Sequence, residues 1–377
     1  MPKFFVDGSS GDVNLGYEAT GTTAKVTWDA SNETLDVDGV LTIKGTLAAT
    51  ASSSYYEEAE LFKRSSANTL SVPQLSGVVN GTLIVVSATT LALNTSGNWD
   101  SATYATPANR AGKDFYVYLL EAGGVILSAN STYPTGYTAL NSRKIAGFHC
   151  LCTSVGTISG HTLSGYVAGD ILPQSVWDLF NRSSARQEGT VLSTSGKWVD
   201  IYLPSVSGST LVSVNGGTIA DGVSSPAFHT YKFEQWFARQ GMKTISQQEF
   251  FAASEGANQG TNITGSSDPG TTGGHTDTAG RRMISNDGVE DTCGVLWQWC
   301  RDTGGNSGAS SWRNAYDGND SGVGGQHYNE PYRGYLGGNW AGGVLCGSRG
   351  SAWNVDPLYL RSDFSSRGVA EPRSFRF

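Results

Sequence analysis

The chain has 377 residues, 38% of them hydrophobic and 15% charged, with 49 glycines and a formal net charge of −8. Charged residues usually make up about 25% of a soluble domain, and Lys and Glu are scarce here against Gly, Ser and Thr, which excludes a coiled coil or a helical bundle. The acidic balance and the lack of a Lys/Arg cluster argue against electrostatic nucleic-acid binding, and aromatic residues at 11% argue against disorder throughout.

The N-terminus, Met1-Pro-Lys-Phe-Phe-Val-Asp, carries no apolar stretch of signal-peptide length, and no run is long enough to span a membrane. Residues 1–50 read as a small strand-only unit: strands at Lys25–Trp28 and Thr34–Val37, a turn at Asp38-Gly39, and a return at Val40–Ile43. Such a unit buries little core and calls for neighbours. Strands continue through 51–168, at Gly81–Val86 and Thr90–Leu93. Asp114–Leu120 turns at Gly123-Gly124 and returns at Val125–Leu127, a strong hairpin signal. Several short strands at this spacing predict a β-sandwich.

Composition changes near residue 170, after which eight of the ten tryptophans lie. From 169 to 377 the pattern is α+β. Tyr231–Gln240 carries Phe233, Trp236 and Phe237 on one helical face and ends at Gly241. Ser246-Gln-Gln-Glu249 is a capping box that opens a second helix, with Phe250 and Ala253 inward and Gly256 at its end. The polar, glycine-rich stretch Asn258–Gly280 reads as a functional loop or a disordered one, with His275 inside it as a solvated side chain or, less simply, a ligand. Val295, Trp297 and Trp299 alternate as in a core strand.

Few motifs carry chemistry. There is no nucleophile elbow near a triad and no phosphate-binding loop. Glu330, Asp356 and Asp363 are carboxylates that a glycoside hydrolase could use, by region alone. The cysteines, Cys150, Cys152, Cys293, Cys300 and Cys346, are odd in number and widely spaced, which is no disulfide framework. Cys150 and Cys152 flank one another beside His149, yet no second Cys/His pair completes a tetrahedral zinc site, so buried thiols are the simpler reading. Asp317-Gly-Asn-Asp320 is an oxygen-rich run of a kind calcium can use, without the closing glutamate of a calcium loop; it reads equally as a tight turn.

A set of motifs in fixed order carries more information. They are Tyr133-Pro-Thr-Gly-Tyr-Thr138, Arg143-Lys-Ile-Ala-Gly-Phe-His149, Trp198-Val-Asp-Ile-Tyr202 and Gly294-Val-Leu-Trp-Gln-Trp299. Gly337-Gly-Asn-Trp340, Cys346-Gly-Ser-Arg349, Trp353, Pro357 and Arg367-Gly-Val369 follow. From about residue 130 onward the chain resembles the major tropism determinants of bacteriophages, receptor-binding proteins diversified by a retroelement. The resemblance implies a mainly β, multidomain fold: a β-prism-like N-terminal domain (1–50), a β-sandwich (51–168) and an α+β C-type-lectin-like domain (169–377). It also implies a homotrimer at a phage tail-fibre tip, without signal peptide or membrane insertion, alongside other tail-fibre proteins, and with a bacterial surface receptor as partner.

The resemblance further implies a constant frame of Gly337, Gly338, Trp340, Gly342, Gly347, Ser348, Arg349, Trp353, Pro357 and Arg367. Between these lie the positions matching the family's varied ones: Asn339, Ala341, Gly343, Leu345, Ala352, Asn354, Val355, Tyr359, Arg361, Asp363 and Phe364, with Gly368 readable either way. Asn339, Ala341, Gly343 and Leu345, and again Tyr359, Arg361 and Asp363, recur every second residue, which predicts one face of an extended segment. The calcium-dependent sugar motifs of true lectins, Glu-Pro-Asn and Trp-Asn-Asp, are not found; Asn329-Glu-Pro331 and Trp353-Asn-Val-Asp356 only approximate them. The expected function is therefore a non-enzymatic adhesin with no required cofactor and calcium as an option. The alternatives are a tail-associated polysaccharide hydrolase and a purely structural tail component.

Overall fold

The structure, a computed structural model, describes strands Lys3–Val6, Val13–Gly16, Val26–Asp29 and Thr34–Val37, residues 55–304, strands Trp312–Asn314 and Gln326–Tyr328, and residues 332–374. The Asp38-Gly39 turn, Val40–Ile43, Asp317–Asp320, Asn329-Glu-Pro331 and the candidate acid Glu330 lie outside the described residues. Met1–Ala51 and Ser52–Phe377 form two compact units. In the first, the four strands pair antiparallel in sequence order.

The second unit opens with two three-stranded sheets. Tyr56–Glu58, Leu75–Val79 and Thr82–Val86 make one, and Lys63–Ser66, Thr69–Val72 and Thr89–Ala92 the other. A four-stranded sheet follows, in the order Val125–Ser128, Asp114–Leu120, Ser142–His149, Trp177–Asp178. The apolar run 114–120 is buried on both faces, because its alternate side chains enter different cores. Phe115, Val117 and Leu119 pack with Leu70, Leu75 and Phe148. Tyr116, Tyr118 and Leu120 pack with Trp177, Trp198 and Phe233 of the C-terminal part. The sheet runs past residue 168, since Trp177 pairs with Gly147. A Cβ on Gly147 would come within 2.6 Å of the Trp177 ring, so the strand crossing requires glycine there.

The C-terminal part holds two four-stranded sheets. One runs Thr190–Leu192, Trp198–Asp200, Gly368–Ala370, Lys243–Thr244. The other runs Ser351–Val355, Tyr332–Leu336, Trp297–Gly304, Phe364–Ser366, its last pair parallel. The helices are Thr230–Ala238, with Phe233 and Phe237 fully buried, and Gln247–Ala253. Gly241 takes a φ of +72° just beyond the first. The second opens on the expected capping box: Ser246 Oγ accepts from the Glu249 amide at 3.2 Å, and Glu249 Oε2 accepts from the Ser246 amide at 2.8 Å. Glu249 also receives both ends of the Arg301 guanidinium, at 2.8 and 2.9 Å, which fastens the helix to the Trp297–Gly304 strand.

Arg367 lies fully buried where these pieces meet. Its Nε donates to Gln298 Oε1 at 3.0 Å, Nη1 to the carbonyls of Asp200 and Ile201 at 2.7 and 2.8 Å, and Nη2 to the Glu290 carbonyl at 2.8 Å. Gln298 in turn donates to the Asp291 and Thr292 carbonyls at 3.1 and 3.0 Å, which fixes the direction of its amide. Burial pulls the Arg367 pKa down to about 10, against the pull of Asp200, Asp291 and Glu290, so the group stays cationic at neutral pH. Arg367→Met strands four acceptors in a dry interior and should cost about 3 kcal/mol or more. Urea unfolding checks this, and Arg367→Lys should recover only part of the loss, because a point charge cannot serve four acceptors in a fork. An unchanged midpoint in the methionine variant contradicts the assignment.

Candidate functional site

The segment 337–350 is closed on itself by main-chain hydrogen bonds. Gly337 N donates to Gly350 O at 2.9 Å, Gly347 N to Gly337 O at 3.1 Å, and Gly342 N to Asn339 O at 3.0 Å. Gly337 and Gly338 hold φ values of +89° and +87°, and a Cβ on Gly338 would meet the Cys346 sulfur at 2.6 Å. Buried Cys346 donates its thiol to the Asn339 carbonyl at 3.3 Å, and burial pushes that thiol up to about 11. Trp340 packs against Val295, Leu296 and Met283. Trp353 lies against Gly334, where a Cβ would clash at 2.7 Å. The Pro357 carbonyl accepts from Thr230 at the start of the first helix at 3.1 Å. The frame residues thus set the backbone by turn geometry, burial and main-chain bonds.

The positions between them differ in exposure. Ala341, Leu345, Asn354, Tyr359 and Arg361 are exposed; Asn339, Gly343, Ala352 and Val355 are half-buried; Asp363 and Phe364 are buried. The expected single face of an extended segment is not what forms. Asn339 Oδ1 accepts from the Ala341 amide at 3.3 Å, and Gly343–Leu345 coils into a 3-10 helix. Asp356 Oδ1 accepts from the Leu358 amide at 2.8 Å and its carbonyl from Tyr359 N at 3.0 Å, so 356–359 is a turn. Side-chain acceptors at turn starts have overridden the period-two reading.

Asp363 is the electrostatic centre of the face. Its Oδ2 accepts from Asn339 Nδ2 at 2.7 Å and its Oδ1 lies 2.9 Å from Arg361 Nε. Arg361 also donates to the Tyr359 hydroxyl at 3.3 Å and lies over that ring, 6.0 Å from its centroid. The Tyr359 hydrogen bond and then the Asp363 charge raise the Arg361 pKa, so its charge is secure. Phe364 forms the floor: its ring centroid is 4.7 Å from Trp299, 5.0 Å from Tyr335 and 5.6 Å from Tyr359. Tyr335 donates its hydroxyl to Asn354.

Two features of this face escape the sequence pattern. Val344 is 87% exposed beside Leu345 at 65%, an apolar tip on the 3-10 turn whose one sequence signal is the Gly342-Gly343 pair before it. Gly222 packs on the main chain of Arg361, its amide donating to the Arg361 carbonyl at 3.1 Å, and this brings exposed Val223 to the rim from far upstream.

His149 Nδ1 lies 2.9 Å from Asp114 Oδ1, and its Nε2 is 3.0 Å from the Tyr202 hydroxyl. The Cys152 thiol points to Glu290 Oε1 at 3.4 Å, and burial raises the pKa of both Cys150 and Cys152. All five cysteines are buried and free, and among the described residues no group of three or more His, Cys, Asp or Glu side chains is arranged to hold a metal ion. Asn258–Gly280 is an ordered loop, stitched by bridges Ile263–Asp277 and Thr218–Thr271 and by Asp277 Oδ1, which accepts from the amides of Ala279 and Arg281 at 2.9 Å.

His275, expected to be solvated, is instead paired: its Nδ1 lies 3.0 Å from Oδ2 of fully buried Asp291, which also accepts from Gly273 N at 2.7 Å. Burial opposes the imidazolium, but the hydrogen bond and charge of Asp291, with help from Glu290, outweigh it and raise the pKa. A folded pKa above the unfolded value of about 6.5 means the stabilisation is complete below that pH and is lost as pH rises through the folded value. The stability gap between wild type and His275→Ala, followed by urea unfolding from pH 5.5 to 9, should therefore narrow as pH rises. A gap independent of pH refutes the ion pair.

Residues 60–178 match the family described as Mtd second domain. The chain is 30% identical to a tail fiber receptor-binding protein of Bordetella phage BPP-1, over 93% of this chain and 94% of that one. Among solved structures, a Major Tropism Determinant U1 variant superposes with a TM-score of 0.74 at 27% identity, over 94% of this chain and 96% of that one. The M1 variant gives 0.74 at 26%, over 95% and 96%. These structures share the mainly β, multi-sheet architecture with a C-type-lectin-like part. The chain belongs to the major tropism determinant family of phage tail-fibre receptor-binding proteins.

Proposed function

We propose that this chain is a phage adhesin that recognises a bacterial surface receptor, protein or glycan, through the face formed by residues 339–364. The observation that carries the reading is end-to-end similarity to a tail fiber receptor-binding protein, over 93% of the chain, joined to a face whose backbone is held by its frame. The role is binding without catalysis: of the carboxylates named above, Asp363 is occupied by Asn339 and Arg361, and Asp356 caps a turn. Domains at 1–50, 51–168 and 169–377, with Trp177–Asp178 reaching back across the second boundary as the last strand of the middle sheet, a homotrimer at the fibre tip and association with other tail-fibre proteins complete the proposal. Three linked copies raise avidity through effective concentration, which suits a face of modest single-site affinity.

The exposed residues Tyr359 and Arg361 are the side chains to test, being types that dominate interface energetics. Asp363 and Phe364 serve beneath them as support. Labelled full-length chain should bind cells of some strain in a bacterial panel, and the folded variant Tyr359→Ala/Arg361→Ala should bind the same cells at least tenfold more weakly. Equal binding by both would move the receptor site elsewhere on the molecule.

The proposed adhesin requires no calcium, in keeping with the missing Glu-Pro-Asn and Trp-Asn-Asp motifs. Cell binding should be the same in EDTA as in millimolar calcium. Loss of binding in EDTA, restored by calcium, would point instead to a cation-bridged receptor.

A further inference from the structure

We infer that Trp297, which lies outside the segment 339–364, contacts the receptor directly as a fixed part of the binding face; this rests on the reading of that face given above. Trp299 is fully buried, whereas Trp297, two residues earlier on the same strand and packed against the same cluster, is only half-buried. Its surroundings are the candidate positions themselves. The Trp297 amide donates to the Asp363 carbonyl at 2.9 Å, and its Cα is in register with Phe364. Its ring meets Tyr335 edge-on, with centroids 4.9 Å apart at 90°, and the Tyr335 hydroxyl reaches exposed Asn354. Trp297 shares an apolar cluster with half-buried Ala352 and Val355. The half-buried indole therefore packs on Tyr335, next to the strand that pairs with 351–355 and in register with Phe364, so it borders the segments that carry the candidate positions.

Chemistry favours a contact role there. A half-exposed indole offers broad apolar area and one N–H donor, and tryptophan, tyrosine and arginine are the residues enriched at binding hot spots. Trp297 stands on a strand of a four-stranded sheet and is braced by Tyr335. It is thus held before binding, and little side-chain freedom remains to be lost when a partner arrives. Tyr359 and Arg361 stand on a turn nearby, so the face combines a rigid anchor on a strand with side chains on loops.

The test uses full-length chain and whole cells of a strain that the labelled wild type binds. Trp297→Ala should weaken binding at least tenfold without a matching fall in melting temperature. Independently, p-benzoylphenylalanine placed at 297 should yield a light-dependent adduct with the cell surface, competed away by excess wild type. If position 359 gives that adduct and 297 does not, Trp297 is off the contact surface and the inference falls while the receptor-face reading stands. If neither position gives an adduct and the Tyr359→Ala/Arg361→Ala variant still binds, the face reading fails and takes this inference with it. Should Trp297→Ala not fold, the photo-adduct at 297 decides alone.

Discussion

The C-terminal part is organised around one buried cation. Arg367 contributes no surface and pairs directly with no carboxylate among the described residues, yet its donors reach the end of the Trp198 strand, the chain at Glu290 and the start of the Trp297 strand. A guanidinium suits the task because its N–H groups diverge in a plane and can be shared among carbonyls without losing the charge. The surrounding acids, Asp200, Glu290 and Asp291, supply the field that keeps it charged despite burial. Removing it would unpair the backbone of two separate segments and the Gln298 side chain of a third at once, which is why the frame of the face depends on a residue outside that face.

From Arg367 the order passes outward in steps. Gln298, oriented by Arg367, sits between Trp297 and Trp299 on the strand that pairs in parallel with Phe364–Ser366. That pairing puts Phe364 on Trp299 and carries Asp363 into the interior. Asp363 then draws in Asn339 from the glycine-closed loop and Arg361 from the turn before it. The face is thus a surface extension of the core, with loops positioned by main-chain bonds and one carboxylate holding two of them together.

What was legible in the sequence was local. The capping box at Ser246, the helix-ending glycines 241 and 256, and the Gly123-Gly124 hairpin each depend on residues a few positions apart, and each formed where read. Order among distant motifs was legible too, since it pointed to the family. Long-range pairings were not. Phe364 reads as a surface residue until a strand nearly seventy positions earlier covers it, and His275 reads as solvated until Asp291 is folded against it. The run 114–120 shows no periodicity because both of its faces are buried, so a single strand serving two cores looked like a simple hairpin arm. Period two in 339–345 and 359–363 misled because Asn and Asp side chains can cap turns as readily as they can alternate along a strand.

The Asp363 cluster has a consequence for how such a face can be altered. A carboxylate only 3% exposed, held between Asn339 and Arg361, is tolerable while both partners remain. Replacing either one leaves a buried carboxylate short of compensation, and replacing Asp363 takes the acceptor from the Asn339 amide and the counter-charge from Arg361. Substitutions at 339, 361 and 363 therefore behave epistatically, so the number of workable sequences at these three sites is far smaller than the product of the choices at each. Exposed Ala341 and Leu345 lie under no such mutual constraint in the side-chain contacts described, so the face divides into independently exchangeable letters and one three-letter word that has to change as a unit.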